Sequence, residues 1–138
     1  MPKLTSLLRN DGLKATRQRR AILSVTEELG HATIDELAQR VEKALPSISL
    51  TTIYNNVQMM VKSGVLTEVP VSAKRTAYEI AKQEHLHLVC RSCGKIEDQE
   101  IEPDALPDNI VRRNGFLPER KQLIVYGLCP RCRKQSTN

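Results

Sequence analysis

The pairs Cys90-Arg-Ser-Cys93 and Cys129-Pro-Arg-Cys132 constrain this chain more than any other feature. A C-x2-C turn presents two thiolates to one side, and two such turns can close a tetrahedral shell around one ion at about 2.3 Å per bond. Disulfides, the alternative, need an oxidising compartment. No apolar run approaches the ~20 residues that span a bilayer, and the start MPKLTSLLRNDG lacks the apolar stretch and cleavage site of a secretory signal. The expectation is a cytoplasmic chain, without a membrane partner, whose four cysteines bind zinc; a redox pair or an iron–sulfur cluster are the other chemistries this spacing serves. With all four positions filled by sulfur the zinc is structural, stapling the C-terminal segment to an earlier strand.

A chain of 138 residues can form one ordinary domain or two small ones that each need help to be stable. Leu4, Leu7 and Leu8, then Ala21, Ile22, Val25 and Leu29, recur at helical spacing and predict two helices, with Gly12 and Thr16 punctuating between them. Thr33 stands three residues before Glu36, a capping-box pattern, and opens a third helix to Ala44 that buries Ile34, Leu37, Ala38 and Val41. A fourth begins at Ser49, kept apart from the third by Pro46, and stops at Gly64. The pattern then becomes extended over Val65 to Val69 and Thr76 to Ile80, with a turn near Ser72 to Lys74. Three helices and a hairpin after a leading helix describe a winged helix-turn-helix over residues 1–80. Ala81 to Glu84 reads as a hinge. Residues 85–138 read as a small α/β domain: strands at Leu86 to Val89, Lys95 to Glu100 and Gln122 to Tyr126, a helix at Leu106 to Arg113 and a loose tail from Lys134 to Asn138. The fold class is therefore α+β.

A helix that enters the major groove needs short polar side chains on its leading face and apolar ones behind. In the fourth helix Leu50, Ile53, Val57 and Met60 form the inward stripe, leaving Ser49, Thr51, Thr52, Tyr54, Asn55 and Gln58 outward. Any amphipathic helix has a polar face; what points to double-stranded DNA is its setting in a helix-turn-helix pattern with a net charge of +5. Lys14, Arg17 and Arg19 near the second helix, and Lys74 and Arg75 in the wing, are then phosphate contacts that fix register without reading sequence.

The chain has three histidines. His85 and His87 lie two apart on a strand, so both face one side. Glu79 precedes them and Asp98 follows on the next strand, so two imidazoles and two carboxylates can converge, with His31 a natural fifth ligand; an ordinary surface histidine is the plain alternative for His31.

The segments Leu13-Lys-Ala-Thr-Arg-Gln-Arg, Ser49-Leu-Thr-Thr-Ile-Tyr-Asn-Asn, His85-Leu-His-Leu-Val-Cys-Arg-Ser-Cys-Gly-Lys-Ile and Tyr126-Gly-Leu-Cys-Pro-Arg-Cys resemble the ferric uptake regulator family, and the resemblance runs along nearly the whole chain, from Leu13 to Cys132. The resemblance is closest to the peroxide-responsive branch. It implies a homodimeric, metal-dependent repressor on palindromic operator DNA, with His31, Glu79, His85, His87 and Asp98 holding ferrous iron or manganese. It also implies zinc on Cys90, Cys93, Cys129 and Cys132, and release from DNA when iron-catalysed oxidation damages His31 or His85. Asn55 after Tyr54, and Asp98 as last ligand, resemble the peroxide branch; Glu79 resembles the iron-sensing branch, and Arg17 replaces a proline usual in the second-helix motif. Phe116-Leu-Pro-Glu-Arg-Lys lacks the histidines that build an additional metal site in many relatives.

Every histidine is taken as a ligand and no separate general base or nucleophile stands out, so the chain is not expected to be an enzyme, and hydrogen peroxide is its one candidate small-molecule reactant. A small metalloenzyme and a zinc-ribbon adaptor are the rival classes. Within the family, iron-responsive and zinc-responsive repressors are the alternatives.

Overall fold

The computed structural model describes residues 2–10, 12–82, 85–102, 108–119 and 121–136. The chain forms two compact units, Met1–Ala81 and Lys82–Asn138. Residues 83 and 84 of the expected hinge, and 106 and 107 of the expected second-unit helix, lie outside the described residues.

In the first unit, helix α1 (Pro2–Asn10) leads to α2 (Arg17–Leu29), whose first turn is capped by Thr16, the hydroxyl accepting from the Arg19 amide at 3.2 Å. Gly30 closes α2 at φ +80, a left-handed conformation that favours glycine, and its amide returns to the Thr26 carbonyl at 2.8 Å. A two-residue strand, β1 (Ala32–Thr33), then precedes α3 (Ile34–Ala44). The expected capping box is present: the Glu36 amide donates to Thr33 Oγ1 at 3.2 Å, and Glu36 Oε1 accepts from the Thr33 amide at 3.0 Å. After the Pro46 break comes α4 (Leu50–Lys62), then the hairpin β2 (Leu66–Ser72) and β3 (Arg75–Ile80). The antiparallel sheet has the order β1-β3-β2, with a bulge between Pro70 and Ser72.

Leu4 and Leu8 of α1, Ile22 and Leu23 of α2, Leu37 and Val41 of α3, and Ile53, Val57 and Met60 of α4 make one apolar cluster with Leu66 and Tyr78 of the sheet. The expected inward stripe of α4 needs one correction. Leu50 is 54% exposed, because it opens the helix a turn before the face that packs, so the stripe begins at Ile53.

The second unit holds β4 (His85–Cys90), β5 (Ile96–Glu100), a short α5 (Asp108–Arg113), β6 (Leu123–Gly127) and α6 (Pro130–Ser136). Its sheet has the order β5-β4-β6, antiparallel between β4 and β5 and parallel between β4 and β6. The expected loose tail is corrected in part: Lys134 to Ser136 continue α6, a helix started by Pro130, whose fixed φ and missing amide suit a first helical position. Residues 137 and 138 lie outside the described ones. Among the described residues no helix is long and apolar enough to cross a membrane.

Candidate metal centre and nucleic-acid interface

The parallel pairing of β4 with β6 sets Cys90 opposite Gly127, so the two C-x2-C turns leave the sheet at the same end. The Arg91 amide donates to the Gly127 carbonyl at 2.8 Å and the Arg133 amide to the Cys129 carbonyl at 2.8 Å, fixing both turns. The sulfurs of Cys90, Cys93, Cys129 and Cys132 all lie within 4.8 Å of one another, with Cys93 and Cys129 Sγ 3.8 Å apart. None is in a disulfide, and a sulfur–sulfur bond would measure about 2.05 Å. Four thiolates at about 2.3 Å from one ion stand about 3.8 Å from each other, so the cluster fits tetrahedral zinc.

Its electrostatics already favour a charged sulfur. The Cys93 amide donates to Cys90 Sγ at 3.5 Å and, with the Cys129 and Ser92 amides, holds the Cys90 thiol down to about 5 against the cost of burial. Cys129 is also lowered, chiefly by the Cys132 amide. Cys132 is pushed up to about 11: a hydrogen bond with Ser92 favours its thiolate, but the neighbouring Cys129, burial, Cys90 and Cys93 together outweigh it.

Each unit also gathers imidazole and carboxylate donors of its own. In the first, Glu79 lies on β3 and is buried, a costly place for a carboxylate unless it is paired. Strand β1 supplies the partner. Its antiparallel register, Ala32 to Tyr78 and Thr33 to Ala77, carried one step further sets His31 beside Glu79, and His31 Nε2 lies 3.0 Å from Glu79 Oε2. That strand was absent from the sequence reading; two residues between Gly30 and a helix cap offer no alternation to detect.

In the second unit His85 and His87 lie on one face of β4, their ring centroids 4.2 Å apart. The β4–β5 register sets Asp98 directly opposite His87. Asp98 Oδ1 is 2.9 Å from His87 Nδ1 and 3.6 Å from His85 Nε2. Its Oδ2 accepts from Lys82 Nζ at 2.8 Å, a contact that sequence reasoning missed because a lysine in a polar segment carries no motif.

Ser49 caps α4, accepting from the Thr52 amide at 3.1 Å and lying 2.8 Å from the Thr52 hydroxyl. Thr51, Tyr54 and Asn55 are exposed on the outer face, as are Lys14 and Arg17 ahead of and at the start of α2, and Lys74 and Arg75 in the hairpin. Gln58, expected on the outer face, is part-buried and donates to the Tyr78 hydroxyl at 3.3 Å. Thr52 and Arg19 are also part-buried. Arg19 donates to Asn56 Oδ1 and to the Lys14 carbonyl, both at 3.1 Å, and Asn56 in turn donates to the Thr52 carbonyl at 2.9 Å. Arg19 therefore ties α2 to α4, and Asn56 buttresses it.

A winged-helix unit with an open polar helix, on a chain that also carries nitrogen, carboxylate and thiolate donors, defines a class: regulators of transcription that respond to metal. The ferric uptake regulator family profile matches residues 10–126, and the chain belongs to that family. It is 33% identical over 130 residues to the peroxide-responsive repressor PerR of Staphylococcus saprophyticus, covering 91% of this chain and 86% of that protein. It is 31% identical over 140 residues to the transcriptional regulator FurA of Mycobacterium tuberculosis, covering 100% and 95%. Among solved structures, the Campylobacter jejuni peroxide stress regulator superimposes with a TM-score of 0.75 at 34% identity, covering 94% of this chain and 98% of that one.

Proposed function

We propose that this chain is a homodimeric repressor that binds palindromic operator DNA when ferrous iron or manganese is held by His31, Glu79, His85, His87 and Asp98, with structural zinc on the four cysteines. Residues 1–80 are the DNA-binding domain, 81–84 the hinge and 85–138 the dimerisation domain. The observation that carries the reading is that each unit gathers its own share of donors: His31 with Glu79 at 3.0 Å, and His87 with Asp98 at 2.9 Å. Imidazole nitrogens with carboxylate oxygens suit ferrous iron or manganese. When bound as iron, the ion would make the protein sensitive to peroxide.

The chain's own residues do the rest. Ser49, Thr51, Thr52, Tyr54 and Asn55 face base edges and backbone, while Lys14, Arg17, Arg19, Lys74 and Arg75 meet phosphates, so binding weakens as salt rises. Leu123, Val125 and Tyr126 are exposed on β6, at the end of the sheet order, and a second copy of the chain covers that apolar strand. DNA and regulatory metal favour the same arrangement and therefore bind cooperatively.

The test is operator binding by zinc-loaded protein given ferrous iron or manganese, each with and without low peroxide, followed by intact mass. Loss of binding with iron alone, with a gain of one oxygen, is the expected result. Glu79 favours a second reading, an iron-responsive repressor; it prevails if both metal forms stay bound and unmodified through peroxide.

A further inference from the structure

Asp98 is shared. While Oδ1 faces His87 and His85, Oδ2 is held by the Lys82 ammonium at 2.8 Å. The lysine side chain is 54% exposed and contributes little to the packing of the unit. A surface ion pair of this kind adds little to folding stability. Its effect falls instead on whatever else the carboxylate binds.

We propose that Lys82 is a positioning residue that sets the regulatory-metal affinity of this chain: it occupies Oδ2, so that Asp98 presents only Oδ1 to the ion, and it keeps a second cation on the same carboxylate. The proposal rests on the reading of Asp98 as a regulatory ligand. Two cations on one carboxylate stand a few ångströms apart. Between a divalent ion and an ammonium at about 5 Å, repulsion even in a water-like dielectric corresponds to roughly tenfold in affinity. Lys82 thus weakens metal binding and shifts the response to higher metal concentration.

The experiment measures manganese binding to full-length, zinc-loaded protein by calorimetry for the parent chain, Lys82→Gln, Lys82→Arg, Asp98→Asn and His87→Ala, with zinc content and thermal midpoint recorded for each. Lys82→Gln keeps a hydrogen-bond donor but loses the charge; it binds manganese roughly tenfold more tightly, with zinc content and midpoint unchanged. Lys82→Arg, which keeps the charge and can grip both carboxylate oxygens, binds manganese no more tightly than the parent. Unchanged or weaker manganese binding in Lys82→Gln overturns the proposal while leaving the ligand set intact. A marked loss of thermal stability in that variant assigns the pair to structure and overturns it equally. If Asp98→Asn and His87→Ala both bind manganese as tightly as the parent, the ligand reading itself fails, and the role of Lys82 with it.

Discussion

The four cysteines do not enter a zinc shell on equal terms. Cys90 is held near 5, first by the Cys93 amide, and is already a thiolate at neutral pH, whereas Cys132 is pushed to about 11 and keeps its proton there despite its hydrogen bond with Ser92. Zinc needs the thiolate at both, so it must displace the Cys132 proton. Raising the pH towards 11 removes that competitor, and lowering it restores it. Zinc affinity therefore rises with pH across the neutral range, by about tenfold per unit for each proton displaced. Competition against a chelator of known affinity at pH 6, 7 and 8 checks this; an affinity that stays flat after correction for the chelator means that the cluster is already fully ionised. At this scale the thiol cluster was legible from spacing alone, since C-x2-C leaves the turn little choice. Lys82 was not: its importance lies in which carboxylate it meets, and that depends on a strand register the polar segment does not encode.

Among the elements, those with a chemical marker at their start were readable and those without one were not. Thr33 and Glu36 announced α3, and Ser49 announced α4. Leu50 departs from the apolar stripe because it adjoins the cap, where the helix has not yet met the core. Strand β1 exists because β3 offers it an edge, a tertiary cause absent from the local sequence. In the same way Arg19, assigned to phosphate from its charge, also serves the α2–α4 junction through Asn56. Thr33 is where local and tertiary causes meet, since it caps α3 and pairs with Ala77 of β3. Replacing it with Ala removes the oxygen that satisfies the Glu36 amide, and the first unit loses about 1 kcal/mol. Urea unfolding of the zinc-loaded protein, followed by helical circular dichroism, reads this as a lower midpoint at unchanged slope; a midpoint equal to the parent's excludes the cap as a source of stability.

For the molecule as a whole, the two units are stabilised by different means. The first has a core to which every one of its helices contributes, from Leu4 and Leu8 of α1 to Val57 and Met60 of α4. In the second, the described buried residues are Val89, Cys90 and Cys132, with His87, and α5 buries none. Units below roughly 70 residues seldom gain enough from an apolar core and rely on a disulfide or a metal. Two of those buried groups are themselves thiols of the cluster, so removing zinc leaves like-charged or proton-bearing sulfurs crowded where the ion held them together. Stripping zinc with a strong chelator under reducing conditions should therefore abolish hydrogen-exchange protection in β4 and β6 while α2, α3 and α4 of the same molecules keep theirs. The two-unit division sharpens the outcome, because the first unit has its own core and no ligand to that cluster. If protection is lost in both units together, the chain folds as one cooperative body. If β4 and β6 stay protected once zinc is shown to be gone, the second unit stands without its staple, and the cysteines must be kept for something other than stability.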